Sequence, residues 1–187
     1  YWNDWESSPG HFGSSSYYME ELPSWVVNFN KKERAAKYLG KTWQTLLPIE
    51  KYTASAPDDN PHERVLRGKE SPTFPYDLKA MRELYNGDPR FYQVLWVTPF
   101  GNTLTREFAV QALKSEDLGT DEVTDMLCVS FSTPDVAGHT FGPQSVEVQD
   151  IYLRLDREIE VLLNTLDKKV GEGNYVLFLT SDHGVQP

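Results

Sequence analysis

The sequence has one cysteine, few basic residues and no long apolar run, and each of these shortages excludes a class of protein. With Cys128 as its only thiol, the chain cannot form an internal disulfide framework or a cysteine-based zinc finger. Lys and Arg number 18 against 28 Asp and Glu, a net charge of -10, which argues against a protein that grips a nucleic-acid backbone. No run reaches the length of about 18 apolar residues that a membrane-spanning helix needs. What remains is a chain of 187 residues, 39% of them hydrophobic, which is enough for one domain with a real core.

The last third of the chain has the most regular pattern. Residues 126–131 and 175–179 are short, mostly apolar runs, which are typical of buried parallel strands. A turn rich in Pro and Gly follows the first run over residues 134–143. Apolar residues then recur at helical spacing and predict a helix of about 25 residues from Ser145 to Gly171. A strand, a helix and a second strand in this order predict a right-handed parallel crossover in an α/β fold.

The first hundred residues are less regular. A helix is predicted to begin near Pro23 and to continue to Leu39. Residues 56–75 hold so many Pro, Gly, Asp and Asn residues that they predict a long loop. Asn102 or Thr103 is expected to cap a further helix.

Several residues invite a functional interpretation, but a structural one is more economical. His11 and His62 lie in Gly/Pro-rich segments and are expected to be solvated loop residues. Cys128 falls within a predicted strand and should be a small core residue. Trp25, Trp43 and Trp96 occupy apolar positions and are expected to belong to the core.

Each of the two predicted strands is followed by an Asp and a His. The first is followed by Asp135 and His139, and the second by Asp182 and His183. Because functional sites in an open parallel sheet form beyond the carboxyl ends of the strands, we expect all four side chains at one edge. Carboxylate and neutral imidazole groups suit Zn²⁺ and related divalent ions. Either pair alone is a weak signal, but their joint placement predicts a two-metal centre of the kind that serves phosphoryl transfer.

The residues around these pairs resemble a known superfamily. Thr133-Pro-Asp-Val-Ala-Gly-His-Thr-Phe-Gly-Pro143 is similar to the first metal motif of the alkaline phosphatase superfamily, in its type I phosphodiesterase/nucleotide pyrophosphatase branch. Thr180-Ser-Asp-His-Gly184 resembles the second metal motif of that branch. Further stretches beginning at Tyr1, Ser16 and Thr98 resemble the PafA-like bacterial alkaline phosphatases, so that the resemblance covers essentially the whole chain.

This resemblance implies both a fold and a set of site residues. The fold would be part of an alkaline-phosphatase-like α/β sandwich, a parallel sheet flanked by helices with an irregular, loop-rich insertion. Asp135 and His139 would bind one Zn²⁺, and Asp182 and His183 the other. The intact enzyme would hydrolyse small phosphate esters and would be periplasmic or secreted. No nucleic-acid backbone, membrane span or particular oligomeric state is implied.

The resemblance also implies groups that have no matching position in this sequence. A threonine nucleophile, a further Asp ligand and a Lys and Arg that contact the phosphate would precede this segment, and another His ligand would follow it. We therefore expect an internal fragment of one catalytic domain, inactive alone, with no catalytic nucleophile of its own. Residues 1–100 would form a loop-rich and helical, insertion-like part, and residues 101–187 a sheet core that carries the metal motifs.

Alternative functions remain open at this point. A phosphodiesterase or nucleotide pyrophosphatase of the same superfamily shares both metal motifs and differs in groups mostly outside this segment. A sulfatase or phosphoglycerate mutase of the superfamily fits the Pro-Asp-x-x-Gly-His spacing less well. In a different class, the chain could be a binding module that keeps the fold without catalysis, although all four ligand residues are intact.

Overall fold

Helices form most of the regular structure in residues 1–4 and 8–184, which are the residues that the computed structural model describes. The α-helices are α1 (Ser24–Asn30), α2 (Arg34–Tyr38), α3 (Leu78–Glu83), α4 (Pro99–Ser115), α5 (Thr133–Phe141) and α6 (Val146–Lys169). Two 3₁₀ helices span Ile49–Lys51 and Pro89–Val97. Two small antiparallel sheets pair β1 (Trp2–Asp4) with β2 (His11–Gly13) and β3 (Thr42–Trp43) with β4 (Tyr76–Asp77).

Helix α6 confirms the long helix that the apolar periodicity predicts. The Ser145 hydroxyl accepts a hydrogen bond from the Val148 amide at 3.2 Å and caps the first turn. The helix ends just before Gly171, which has a φ of 98° and so supplies the left-handed residue that commonly ends a helix. Val148, Ile151 and Leu162 are buried.

The helix predicted from Pro23 to Leu39 is divided into two, α1 and α2. The break lies at Glu33, whose φ of 48° a continuous helix cannot contain. The end of α1 is tied to β2, because the Asn30 side chain accepts from the Phe12 amide and donates to the Phe12 carbonyl, both at 2.9 Å. This pairing fixes where α1 stops, and periodicity alone does not reveal it.

Aromatic side chains join the first part of the chain to helices α5 and α6. Trp43 stacks on Tyr76 with ring centroids 5.1 Å apart, and Phe141 of α5 meets both rings edge-on. Trp43 also donates from Nε1 to Asp150 of α6 at 2.7 Å. One hydrophobic core therefore extends from residues of β2 and α1 to residues of α6.

The loop over residues 56–75 is irregular, as predicted, and is pinned to the end of α5. The Ala56 amide donates to the Gln144 carbonyl at 2.7 Å, and the Arg64 amide donates to the Thr140 carbonyl at 3.1 Å. These two bonds hold the loop across the chain that connects α5 to α6.

Two carboxyl groups of this loop form a cluster with Glu147 of α6. Both carboxyl oxygens of Glu63, one of Glu147 and one of Asp58 are buried and have no hydrogen-bond partner among the described residues. The other Glu147 oxygen accepts from the Tyr76 hydroxyl at 2.6 Å. Burial, with the neighbouring carboxylates, raises the pKa of Glu63 to about 8, and burial raises that of Glu147 to about 7. Both side chains therefore stay protonated at pH values well above those at which a carboxyl group usually ionises.

The prediction that residues 126–131 and 175–179 lie buried in a parallel sheet is wrong for the residues that the structure describes. Neither segment is a strand, and Met126, Phe178 and Leu179 are each at least 80% exposed. A strand needs a second backbone beside it for its N–H and C=O groups, and no described segment lies in that position.

Two predictions about core residues are also wrong. Cys128 is exposed, and the segment that carries it has no strand partner among the described residues. Trp96 is 37% exposed at the edge of the 3₁₀ helix, whereas Trp43 is buried as predicted. Within the described residues, no helix is both long enough and apolar enough to cross a membrane.

Candidate metal centre

Helix α5 presents the first predicted ligand pair. Thr133, Ala137 and Phe141 follow one another at a spacing of four and are buried, so they form the inner face of the helix. Asp135 and His139 have the same spacing on the opposite face, where their side chains reach the surface. The burial of one face thus places both ligand-type side chains together on the other.

The local sequence explains why α5 is a helix and not the turn predicted for residues 134–143. Pro134 occupies the first turn, where its fixed φ and missing N–H are tolerated. Gly142, with a φ of 91°, follows the last helical residue and ends the helix. The stripe of Thr133, Ala137 and Phe141 is the signal in the sequence that predicts this helix.

The structure brings both predicted ligand pairs together around one carboxylate oxygen. Asp135 Oδ1 lies 3.4 Å from His139 Nε2 and 3.6 Å from His183 Nε2. His183 Nε2 is also 3.8 Å from Asp182 Oδ2. Residues that flank opposite ends of α6 in the sequence therefore meet within a few ångströms, although no parallel sheet among the described residues brings them together.

The four side chains differ in how open they are to solvent. The Asp182 side chain is 91% exposed and that of His139 is 78% exposed, whereas those of Asp135 and His183 are about half exposed. Asp135 Oδ1 is nevertheless buried as an atom and has no hydrogen-bond partner among the described residues. The centre of the cluster is thus more enclosed than its rim.

The second pair is held by its own backbone. The His183 ring has Nδ1 3.0 Å from the Gly184 carbonyl oxygen, which orients Nε2 toward the carboxylates. The contact with this carbonyl, together with the Asp182 and Asp135 carboxylates, raises the pKa of His183. Ser181 donates from its hydroxyl to the His183 carbonyl at 3.0 Å and closes the turn.

The donor set fits Zn²⁺ in chemistry and in part in distance. Bonds of about 2.0–2.2 Å place two ligand atoms of a tetrahedral zinc site about 3.4 Å apart. The 3.4 Å spacing of Asp135 Oδ1 from His139 Nε2 matches this value, and the 3.8 Å spacing of Asp182 Oδ2 from His183 Nε2 is somewhat longer. Among the described residues, no group of three or more His, Cys, Asp or Glu is arranged to hold a metal ion as it stands.

Asn102, predicted to cap a helix, is instead inside one. Helix α4 begins at Pro99 with Thr98 as its first flanking residue, so Asn102 falls in the first turn. Its side chain is 1% exposed, and neither amide atom has a partner in the part of the chain described. His62 is exposed, as predicted, while His11 is 3.0 Å from Glu33 and joins β2 to the break between α1 and α2.

The fold and the motif-bearing helix together define the class of protein. Residues 2–187 match the family model of the type I phosphodiesterases/nucleotide pyrophosphatases, so the chain belongs to this family. This result confirms the family to which the motifs point. The chain is accordingly part of a protein of the alkaline phosphatase and phosphodiesterase superfamily.

Individual relatives narrow the comparison further. The chain is 46% identical over 185 residues to alkaline phosphatase PafA of Elizabethkingia meningoseptica, a match that covers 98% of this chain and 32% of that protein. It is 45% identical over 184 residues to alkaline phosphatase PhoV of Synechococcus elongatus, with 98% and 32% covered. The crystal structure of wild-type PafA superposes with a TM-score of 0.83 at 44% identity, over 91% of this chain and 32% of that one.

These comparisons confirm the α/β, alkaline-phosphatase-like fold. They also show that the chain spans about a third of the length of the relatives that it matches.

Proposed function

We propose that this chain is part of a zinc-dependent phosphomonoesterase that acts with two metal ions on small phosphate esters. Its similarity to PafA and PhoV, both named alkaline phosphatases, supports the reaction class. The parent protein would be periplasmic or secreted, as the resemblance to PafA-like enzymes implies.

In this proposal, Asp135 and His139 hold one Zn²⁺ and Asp182 and His183 hold the other. When bound, the ions supply Lewis-acid stabilisation of phosphate oxygens and a lowered pKa for an attacking hydroxyl group. The residues of this chain fix the position of the ions: α5 sets the separation of Asp135 and His139, and the Gly184 carbonyl sets the direction of the His183 ring.

One observation carries this proposal. Asp135 Oδ1, a buried oxygen without a hydrogen-bond partner in the described residues, has two imidazole Nε2 atoms within 3.6 Å. A buried carboxylate oxygen is unfavourable unless a proton donor or a cation compensates it. Carboxylate and imidazole donors in this arrangement favour zinc over calcium or magnesium, which prefer oxygen ligands alone.

We expect the isolated chain to be nearly inactive. The resemblance implies a nucleophilic threonine and a phosphate-binding Lys and Arg, and none of these has a counterpart among the residues of this chain. The test is hydrolysis of p-nitrophenyl phosphate by the purified chain with and without Zn²⁺. Turnover at ordinary enzyme rates would contradict the proposal that essential groups lie elsewhere in the parent protein.

The same site is tested in the parent protein by removing one ligand from each pair. His139→Ala and His183→Ala should each lower kcat/KM by at least about 100-fold, because even groups that only support a metal ligand are worth 10–100-fold. His62→Ala, a substitution in the exposed loop, is the matched control and should leave kcat/KM unchanged. Unchanged activity in both ligand variants would instead favour the non-catalytic binding module.

A phosphodiesterase is the second candidate, because the family model is that of phosphodiesterases and nucleotide pyrophosphatases. Over 66 residues the chain is also 32% identical to the human ectonucleotide pyrophosphatase/phosphodiesterase family member 7. Comparing kcat/KM of the parent protein for p-nitrophenyl phosphate and bis-p-nitrophenyl phosphate separates the two. A preference for the monoester supports the first candidate, and a preference for the diester supports the second.

A further inference from the structure

The helix that carries Asp135 and His139 rests on the first turn of α4. Its first residue, Thr133, is only 5% exposed and faces Gly101 of that turn. Asp135 follows Thr133 by two residues and lies in the same turn of α5. The contact between Gly101 and Thr133 therefore controls the end of α5 from which the first ligand projects.

Gly101 leaves no room for a side chain at this contact. A Cβ atom at this position would lie 2.4 Å from the Leu95 carbonyl oxygen and 2.7 Å from Thr133 Oγ1. Both distances are below 3.0 Å, which Cβ atoms in proteins essentially never show, so one of the neighbouring groups would have to move. The φ of Gly101 is not in the left-handed region, and glycine is needed here for space alone.

The Leu95 oxygen cannot move aside without its backbone, and Thr133 Oγ1 can move only by rotation about χ1 or together with α5. The Leu95 oxygen belongs to the main chain of the 3₁₀ helix Pro89–Val97, and Leu95 is fully buried. Thr133 Oγ1 is attached directly to the Cβ of the first residue of α5, so it is not the end of a flexible side chain. On the side of α4, Thr98 and Leu104 are buried and limit retreat in that direction.

We propose that Gly101 is a positioning residue for the Asp135–His139 ligand pair, because its missing side chain lets α4 seat the ligand-bearing helix. The inference rests on the proposed role of the pair as zinc ligands. Metal sites tolerate only small displacements, of about 0.5 Å, before affinity falls. A side chain at position 101 would therefore weaken metal binding without touching the metal.

The experiment compares Gly101→Ala with Gly40→Ala in the 187-residue chain. Gly40 is the matched control, because a Cβ there would lie at an ordinary 3.5 Å from its nearest neighbour, the Lys37 carbonyl. The first readout is the set of backbone amide NMR resonances of α5, measured without metal. The second is the Zn²⁺ affinity from competition with a chelator, which a merely stabilising role would not change in a chain that remains folded.

Gly101→Ala should shift the α5 amide resonances and weaken Zn²⁺ binding at least tenfold, whereas Gly40→Ala should do neither. Adding Thr133→Ala to Gly101→Ala removes one of the two clashes and should restore part of the affinity. Unshifted α5 resonances would overturn the proposal, as would shifted resonances with unchanged affinity in a chain that binds zinc.

A failure of the proposed function gives a different result. If the parent protein and its His139→Ala variant bind Zn²⁺ equally poorly, the pair is not a zinc site and the positioning role falls with it. The shift of the α5 resonances still decides whether Gly101 seats the helix. Should Gly101→Ala not fold, Thr133→Val enlarges the same contact from the other side, and it should shift the same resonances to a smaller extent.

Discussion

At the scale of single residues, Asp150 joins α6 to the first half of the chain. Its carboxylate accepts hydrogen bonds from Trp43 Nε1, the Leu46 amide, the Tyr52 hydroxyl and Arg154 Nε. Asp150 is fully buried, and these four donors compensate its negative charge. A buried charge held in this way is costly to disturb, because each donor left behind loses its acceptor.

Asp150→Ala should lower the free energy of unfolding by about 3–5 kcal/mol, since it takes the shared acceptor from the part-buried Arg154 Nε and from three other donors. Urea denaturation monitored by tryptophan fluorescence measures the change. Asp156→Ala removes an exposed carboxylate from the same helix and should stay within about 0.5 kcal/mol of the unaltered chain. An equal effect of the two substitutions would contradict the role assigned to Asp150.

The raised pKa values of Glu63 and Glu147 predict that the free energy of unfolding falls as the pH rises. Their pKa values of about 8 and about 7 in the folded chain exceed the usual 4.5, so the folded state binds more protons between these limits. Their protonation therefore stabilises the fold fully below about pH 4.5, and this contribution is lost as the pH rises through 7 and 8. One unit of pKa difference corresponds to about 1.4 kcal/mol, so the free energy of unfolding should fall by a few kcal/mol over this pH range.

Urea unfolding at about pH 5 and about pH 8.5 tests this pH dependence. Glu63→Gln replaces the acid with a neutral group of the same shape and should flatten the profile, whereas Glu160→Gln, at an exposed position of α6, should not. Asp58, whose pKa burial also raises, and Lys69, whose pKa burial lowers, face the same cluster and remain in both variants. A stability that is constant or rises over this interval would contradict the protonation of the cluster.

At the scale of elements, helices were easier to predict than strands. Periodicity and the cap at Ser145 were sufficient for α6, because a helix satisfies its own backbone hydrogen bonds. The runs at 126–131 and 175–179 have the composition of buried strands, but composition cannot supply the neighbouring backbone that a strand requires. The Pro and Gly residues of α5 mark a turn as readily as the two ends of a short helix, so the sequence predicts a turn where the structure has this helix.

The exposed apolar segments predict that the isolated chain self-associates. Val176, Phe178 and Leu179 are each at least 78% exposed along an extended segment without a strand partner in the described residues. Contiguous apolar surface next to an unpaired backbone favours pairing with another chain. Sedimentation velocity at rising concentration should show association of the unaltered chain.

Phe178→Ser with Leu179→Lys should shift this equilibrium toward the monomer. Tyr17→Ser, at a position that is 88% exposed in the loop before α1, is the control and should leave the association unchanged. A chain that is monomeric over the whole concentration range would show that the segment is covered in solution.

At the scale of the whole molecule, the core does not divide at residue 100. Trp43 and Tyr76 pack on Phe141, and Trp43 is bonded to Asp150, so residues on both sides of this position share one core. The separation of an insertion-like part from a sheet core stays a prediction about the parent protein. The chain spans about a third of its relatives, and the parallel sheet expected of the fold would need strands from the remainder.

Zinc binding at the proposed site should be visible in the stability of the whole chain. A ligand that binds only the folded state raises the unfolding temperature, by about 2–4 °C for each kcal/mol in a chain of this size. Thermal unfolding with excess Zn²⁺ and with a chelator measures the difference. The rise should be smaller in Asp135→Ala with His139→Ala, which keeps only the Asp182–His183 pair, and unchanged in His62→Ala. A rise of equal size in all three chains would show that zinc binds elsewhere.

The sequence by itself determined the family, the long helix and the four residues of the candidate site. Motif residues and helical periodicity are local properties, and they depend little on what surrounds them. Only the tertiary structure decided that Asp135 and His139 lie on a short helix and that His183 reaches the same carboxylate oxygen. It also decided that Gly101 seats that helix, and that Glu63 and Glu147 are buried together. Each of these depends on contacts between residues distant in the sequence, which no local pattern encodes.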